Sequence, residues 1–366
     1  MPRSPATPPD LTRLDVLRQR LANQHLARPE YDQPVAMVAR LGAVQAQDYG
    51  AAKWALGMRL TAASDESLDQ AFNDGAILRT HVMRPTWHFV APADIRWLLA
   101  LTAPRVKPLL AAYDRQLGID EALLKRSRAV LTKALQGGQQ LTRAEMEQAL
   151  RDGGIRQIGQ DLGHIGMHAE LDALICSGPR RGKQFTYMLL EERVPPAPAL
   201  TRDEALRELT QRYFISHGPA QVQDFVWWSG LTAADTKKGL ALAGEALARQ
   251  VCEGQDFWSA GASAARMPST AYLLPNYDEY TVAYKDRSHF YDANAFAGAV
   301  ARDTAPFANM IVLNGRVAGI WKRTLTQKTV AVELKPVHPL SVNEQRALDA
   351  ALRRYGEFLG LAAKLA

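Results

Sequence analysis

Gln45 and Gln47 stand two residues apart in the run Leu41-Gly42-Ala43-Val44-Gln45-Ala46-Gln47-Asp48-Tyr49-Gly50, between one apolar helical pattern and a second that begins near Trp54. On a helix, such a pair lies roughly 200° apart and cannot face one target. On extended backbone it points to one side. Both amides can serve one site only if the first helix ends close to Val44. A buried amide without a partner is costly, so a polar pair among Ala, Val and Leu needs a purpose. Taken alone, the segment is more often two satisfied glutamines tying a helix end to its neighbours. If the pair does chemistry, it does so without titrating, by holding and orienting other groups.

Other residues compete for such a role. Asp48 adjoins the pair and is either a base or, more commonly, a helix-capping aspartate. His81 and His88 lie in a β-rich stretch and either touch an anion or pack. Trp227 and Trp228 could stack bases, but their helical spacing beside Phe225 favours core. No lysine has a sequence environment that marks it as a Schiff-base nucleophile. The two cysteines, Cys176 and Cys252, sit in apolar surroundings without CxxC or metal-ligand spacing, so neither a metal nor another cofactor is expected.

The charge pattern points outward. Net charge is +6 over 366 residues, which by itself says little about partners. Arg105, Lys107, Arg115, Lys125, Arg126, Arg128 and Lys133 face only Asp114, Asp120 and Glu121 within their stretch. Arg316, Lys322, Arg323, Lys328 and Lys335 share theirs with Glu333 alone, and Arg180, Arg181 and Lys183 fall within four residues. Any one cluster is an ordinary solvated face. Three of them, two at expected hairpins, point to a polyanion. Arg180, Arg181, Lys183, Lys322, Arg323 and Lys328 of these clusters, with Arg84 and His88 of the β-rich stretch, are the candidate DNA-binding residues.

The elements that must position these groups follow from period and punctuation. The length implies several domains. No apolar run reaches 18 residues and the N-terminus lacks an apolar signal core, so a cytoplasmic, nucleoid-associated protein without a membrane partner is expected. Residues 1–10 read as a disordered lead. Leu14, Leu17, Leu21 and Leu26 supply a helical stripe, and Pro34 opens a second helix. A helix spans Glu66–Asp74, and a hairpin over Ile77–Val90 turns at Arg84-Pro85, followed by a helix from Pro92. The order recurs. Thr142-Arg143-Ala144-Glu145 is a capping box, a helix runs from Leu162 to Cys176, and Arg180 to Tyr187 turns between strands. Thr201 and Thr232 cap further helices, and strands occupy Val251–Ser259. Helices followed by a hairpin form a winged helix. Three such domains are expected, over 11–115, 116–198 and 199–262, in an α+β protein. Residues 263–366 are β-rich, with strands at Tyr272–Pro275, Tyr280–Tyr284, Met310–Leu313, Val317–Trp321 and Thr329–Leu334. Asn314-Gly315 signals a tight hairpin, and a last helix spans Val342–Leu359.

These residues together resemble a bacterial family of winged-helix DNA glycosylases, typified by the azinomycin-resistance glycosylase AlkZ and by YcaQ. The resemblance rests on Gln45-Ala46-Gln47, the Arg79–Val90 hairpin ending in Thr86-Trp87-His88-Phe89-Val90, and Ala169 to Pro179. It also rests on Phe185-Thr186-Tyr187 before Glu191-Glu192-Arg193-Val194-Pro195, Ser216 to Ala220 with Trp227 to Leu231, and Leu273-Leu274-Pro275 with Tyr284-Lys285-Asp286-Arg287. It implies three winged helices in a C-shaped arrangement with a C-terminal β-barrel-like domain. It also implies a Gln-x-Gln catalytic motif at Gln45 and Gln47, where YcaQ-like members carry Gln-x-Asp. The implied activity is hydrolysis of the N-glycosidic bond to N7-alkylated guanine, including unhooking of interstrand crosslinks.

Glutamines suffice for that reaction because the alkylated base is already cationic and departs neutral, which removes the need for a general acid. The expectation is a monomeric, monofunctional glycosylase acting on double-stranded DNA containing alkylated purines. The rival is a non-catalytic winged-helix regulator, but the chain has no heptads or evident dimerisation helix, which palindrome readers commonly need.

Overall fold

A computed structural model describes residues 10–155, 161–261, 270–292, 294 and 308–366. Apart from Asp10, the expected disordered lead lies outside the described residues. The chain divides into two compact units. One comprises residues 31–206 with 229–231, and the other residues 1–30, 207–228 and 232–366. The four stretches expected from the sequence do not coincide with these units, since 11–115 and 199–262 each have residues in both.

In the unit holding residues 31–206, Pro34 opens a helix at Pro34–Leu41, and Gly42 stops it with φ 83°. A left-handed backbone there suits glycine. Strand β1 (Val44–Gln45) follows, and then a helix at Tyr49–Gly57. That helix starts five residues before the expected Trp54, because Asp48 caps it by accepting from the Ala51 N–H at 3.0 Å. A helix at Asp65–Asn73 precedes β2 (Leu78–Val82) and β3 (Arg84–Val90). The hairpin turns at Met83, with φ 64°, and not at Arg84-Pro85. Pro85 lies within β3 and is exposed. The Thr102 hydroxyl holds the turn by accepting from the Met83 N–H at 3.2 Å. Thr102 belongs to the helix Ile95–Leu117, which starts after the expected Pro92. The sheet order is β1-β3-β2, antiparallel throughout.

A second set repeats this order. The helix Glu121–Leu135, strand β4 (Leu141–Thr142) and helices Arg143–Asp152 and Asp161–Leu171 precede β5 (Ile175–Ser177) and β6 (Thr186–Leu189). Thr142 and Glu145 form the expected capping box. Ile175 and Cys176 belong to a strand and not to the preceding helix, since Ala173 adopts φ 55° and ends the helical path. The sheet order is β4-β6-β5. Its core gathers Leu131, Leu135, Leu150 and Ile175, all at 0 % exposure.

The other unit begins with the helix Arg13–Asn23, which buries Val16, Leu17 and Leu21 but leaves Leu14 exposed. Helices Arg202–Ser216, Val222–Ser229 and Ala233–Ala243 precede β7 (Ala248–Cys252) and β8 (Gln255–Ser259). Ala220 adds a bridge to Trp258. Trp228 is fully buried, and its indole N–H donates to Glu279 at 2.9 Å. Trp227 is 39 % exposed, not core, and its indole N–H donates to the Val282 carbonyl.

Strands β9 (Ala271–Leu274), β10 (Met310–Leu313), β11 (Arg316–Leu325), β12 (Thr329–Pro336) and β13 (Ala362–Leu365) form a five-stranded sheet in the order β13-β12-β11-β10-β9. Its last strand is the parallel partner of β12. The helix Val342–Leu359 packs on this sheet through Leu348, Tyr355 and Phe358. Asn314 and Gly315, with φ 51° and 86°, make the expected two-residue turn between β10 and β11. Tyr280–Tyr284 is not a strand. Asp278 caps a short helix at Glu279–Val282 through the Tyr280 N–H. No helix among the described residues is long and apolar enough to cross a membrane.

Candidate active site

The Gln-x-Gln segment is extended. Gln45 pairs with His88 across the β1–β3 ladder, and the ladder continues as the Ala46 N–H donates to the Trp87 carbonyl at 2.7 Å. The period of two then puts Gln45 and Gln47 on one side and the fully buried Ala46 on the other. Gln45 is 8 % exposed, whereas Gln47 is open to solvent. The helix opened by Pro34 stops three residues before Val44, which frees this stretch to extend.

Both amide oxygens are oriented by β3. The Trp87 N–H donates to Gln47 Oε1 at 3.4 Å, and Arg84 Nη2 donates to Gln45 Oε1 at 3.4 Å. These bonds are long, so they orient more than they bind. Arg84 Nη2 also lies 3.5 Å from His88 Nε2, while His88 Nδ1 donates to the Thr86 carbonyl at 2.9 Å. With that tautomer, Nε2 carries the lone pair that faces Arg84. His88 is fully buried. A phosphate cannot reach it without rearrangement, so in this structure it supports Arg84 instead of contacting a polyanion.

Arg79, which sequence reasoning missed, holds the segment from behind. Its Nε donates to the Ala46 carbonyl at 2.9 Å and its Nη2 to the Gln47 carbonyl at 3.4 Å. The guanidinium lies over the rings of Trp87 at 4.3 Å and Phe185 at 4.7 Å. Burial lowers its pKa from the ordinary arginine value, partly opposed by Glu170. The available signal was an arginine inside an otherwise apolar, β-rich run.

The helix after the motif is anchored by Asp69. This carboxylate accepts from the Tyr49 hydroxyl at 2.7 Å and pairs with Lys53 at 3.0 Å and Arg180 at 3.1 Å. Burial alone would raise the Asp69 pKa, but the Tyr49 hydrogen bond and the Lys53 and Arg180 cations bring it below the usual carboxylate range. Tyr49 is pushed well above its ordinary value, chiefly by burial.

The basic clusters separate in space. Arg180 is spent on Asp69 and the faces of Tyr49 and Phe185. Arg181 binds Glu145 through both terminal nitrogens, at 2.9 and 2.5 Å. Lys183 is exposed, with no ion-pair partner among the described residues. Lys322 and Lys328 are also exposed, whereas Arg323 is half-buried and donates to the Tyr355 hydroxyl at 2.6 Å. These three lie toward the Thr326–Lys328 turn between β11 and β12, at the opposite end of β11 from Asn314-Gly315. Cys176 is buried, and its thiol is pushed up to about 12 by that burial. No cluster of three or more His, Cys, Asp or Glu side chains able to hold a metal occurs among the described residues.

With this geometry in place, the chain can be set beside known proteins. Residues 38–358 match the family model described as "DNA glycosylase AlkZ-like". The chain belongs to the AlkZ-like DNA glycosylase family. It is 25 % identical over 316 residues to a curated protein of Streptomyces sahachiroi, the "Interstrand DNA cross-link repair glycosylase", covering 78 % of this chain and 81 % of that one. Among solved structures it is similar to the Streptomyces sahachiroi DNA glycosylase AlkZ, with a TM-score of 0.80 and 21 % identity. That match covers 98 % of this chain and 100 % of the other, and at that identity it speaks for the fold. Within the AlkZ-like fold, Gln45 and Gln47 occupy the strand and loop just described.

Proposed function

We propose that this protein is a monofunctional DNA glycosylase. It hydrolyses the N-glycosidic bond of N7-alkylated purines in double-stranded DNA, bulky or interstrand-crosslink adducts included. The observation that carries this reading is the extended Gln45–Gln47 segment, with both amides on one side and their oxygens oriented by β3. Family membership favours a glycosylase over a non-catalytic regulator.

The chemistry follows from the leaving group. An N7-alkylated guanine is cationic and departs neutral, so no acid is required. What remains is positive charge on the sugar and a water to capture it. A carbonyl oxygen carries two lone pairs, so accepting from the Trp87 N–H does not exhaust the Gln47 amide. Gln47, the exposed member, holds the water, and Gln45 directs its dipole at the developing charge. A cation beside Gln45 would oppose that charge. Arg84 therefore transfers to a backbone phosphate when DNA binds. Lys53, the lysine near the motif, is buried and paired with Asp65 at 2.8 Å as well as Asp69. It is poorly placed as a nucleophile.

The wider reading is three tandem winged helices and a C-terminal β-rich domain, over 11–115, 116–198, 199–262 and 263–366, acting as a monomer. A repeated element order supports it: a helix, a short strand or bridge residue (β1, β4 or Ala220), two more helices and a hairpin occur in turn up to β2–β3, β5–β6 and β7–β8, with the helix Arg13–Asn23 preceding the first set. The boundary at 262–263 lies at residues outside the described ones. Lys183, Lys322 and Lys328 are the candidate phosphate contacts, because all three are exposed. Incubating N7-methylguanine duplex with the protein and cleaving abasic sites with alkali tests the function. Strand breaks that depend on the protein support it, and intact strands would refute it.

A further inference from the structure

A buried acid that the proposed reaction does not use stands next to the residues holding the Gln-x-Gln segment. Glu170, on the helix Asp161–Leu171, is 1 % exposed, and its Oε2 is bonded to His81 Nδ1 on β2. His81 is itself buried and pairs with Trp87 across the β2–β3 ladder, their ring centroids 4.3 Å apart. The Trp87 N–H in turn donates to Gln47 Oε1. Glu170 also bears on Arg79. Burial lowers the Arg79 pKa, and the Glu170 charge is the foremost of those that oppose this. Arg79 donates to the Ala46 and Gln47 carbonyls. Two routes therefore lead from one carboxylate to Gln47, one through the Trp87 ring and its backbone, the other through the Arg79 guanidinium.

One oxygen of the carboxylate has no such bond. Glu170 Oε1 is buried, with no hydrogen-bond partner among the described residues, and such atoms are uncommon and call for an explanation. A half-bonded buried carboxylate costs stability, and well-packed apolar residues commonly replace a buried ion pair without loss. A purely structural tie between the helix and β2 would not call for an acid. Glu170, His81, Trp87 and Tyr187 line a space of about 20 Å³, far too small for a base, so the acid touches protein and not substrate. The proposed reaction develops positive charge beside a segment that a buried cation holds, and that cation opposes the reaction unless it is compensated. We infer that Glu170 is a positioning residue for base excision: it fixes His81 against the Trp87 ring, compensates Arg79, and through both holds Gln47 where it orients water. With Nδ1–H given to the carboxylate, the imidazole keeps one tautomer and one ring orientation. The inference rests on the glycosylase reading above.

The test reads single-turnover excision of N7-methylguanine, duplex affinity, and the side-chain amide resonances of Gln47 in protein carrying isotope-labelled glutamine. Gln47→Ala assigns those resonances by their loss. Glu170→Gln keeps the size of the side chain and an acceptor for His81 but removes the charge. It should slow excision by about tenfold while duplex Kd stays within about twofold. In an Arg79→Ala background the same substitution should slow excision by less than about threefold, because residues acting through one another are not additive. His81→Gln offers Glu170 a donor but removes the ring beside Trp87, and it serves if Glu170→Gln does not fold. Each variant should shift the Gln47 amide resonances in the free protein. Wild-type excision by Glu170→Gln, an equal loss in both backgrounds, or unmoved Gln47 resonances would overturn the inference. Absent excision by the wild type would refute the glycosylase reading instead, and the resonances, which need no substrate, still score the positioning by themselves.

Discussion

Arg79 joins the backbone of the Gln-x-Gln segment to the rings of Trp87 and Phe185, and its substitution separates positioning from chemistry. Arg79→Ala leaves the buried Ala46 carbonyl without its donor. Charge-assisted hydrogen bonds of this kind contribute about 1.5–3 kcal/mol. We expect thermal unfolding to report a loss of that order. Single-turnover excision should slow by about tenfold, or ~1.4 kcal/mol in the barrier, with an unchanged pH profile. Arg79→Lys keeps the charge but lacks the planar fork, so it should recover only part of the rate. An Arg79→Ala enzyme with wild-type excision would remove Arg79 from the positioning role. The same scale explains why His88 is no phosphate contact: a residue at 0 % exposure acts through its neighbour, here Arg84.

At the scale of elements, the helix Tyr49–Gly57 that follows the motif is held through Asp69, and that gives a pH signature. The folded Asp69 pKa is depressed, so its contribution is fully present above the unfolded value of 3.8 and is lost as pH falls through the folded value. Between pH 6 and 9 this anchor should not titrate, and acid should weaken it only below the usual carboxylate range. Asp69→Asn should flatten the acid limb of a stability–pH curve, and an unaltered limb would contradict the assignment. At the β10–β11 turn, Gly315 has φ 86°, and a Cβ there would come within 3.0 Å of Leu17 Cβ. Gly315→Ala should therefore destabilise by about 1–2 kcal/mol in denaturant unfolding, the cost of a left-handed non-glycine residue. The Asn314-Gly315 turn, the Thr142 and Thr232 capping boxes and the helix Val342–Leu359 were legible because their signals are local. The turn at Met83 was not, since Thr102, 19 residues away, holds a conformation that methionine rarely adopts. The Ile175–Ser177 strand was hidden for a similar reason. Its apolar residues fit either period, and Ala173 decides where the helix stops. Gln45 and Gln47 could be found from spacing, but Arg79 and Trp87 are brought to them by the pairing of β1, β3 and β2.

For the whole molecule, the account requires DNA binding dominated by phosphate contacts. Affinity should fall steeply with salt, as neutralised phosphates release counterions. Lys322→Ala with Lys328→Ala should weaken all duplexes alike and reduce the salt slope by up to about 2. Strong preference for one palindrome would instead favour a regulator. Whether the whole protein is an enzyme, and whether two amides carry its reaction, is decided by single-turnover excision of N7-methylguanine. Gln45→Ala and Gln47→Ala should each slow excision by ~10²–10³-fold, the scale of one lost preorganised contact, with duplex affinity nearly unchanged. The double variant should be slower than either, and the wild-type rate should stay flat from about pH 6 to 9, because amides do not titrate. Undiminished excision by the Gln45→Ala, Gln47→Ala double variant would contradict the account at its centre.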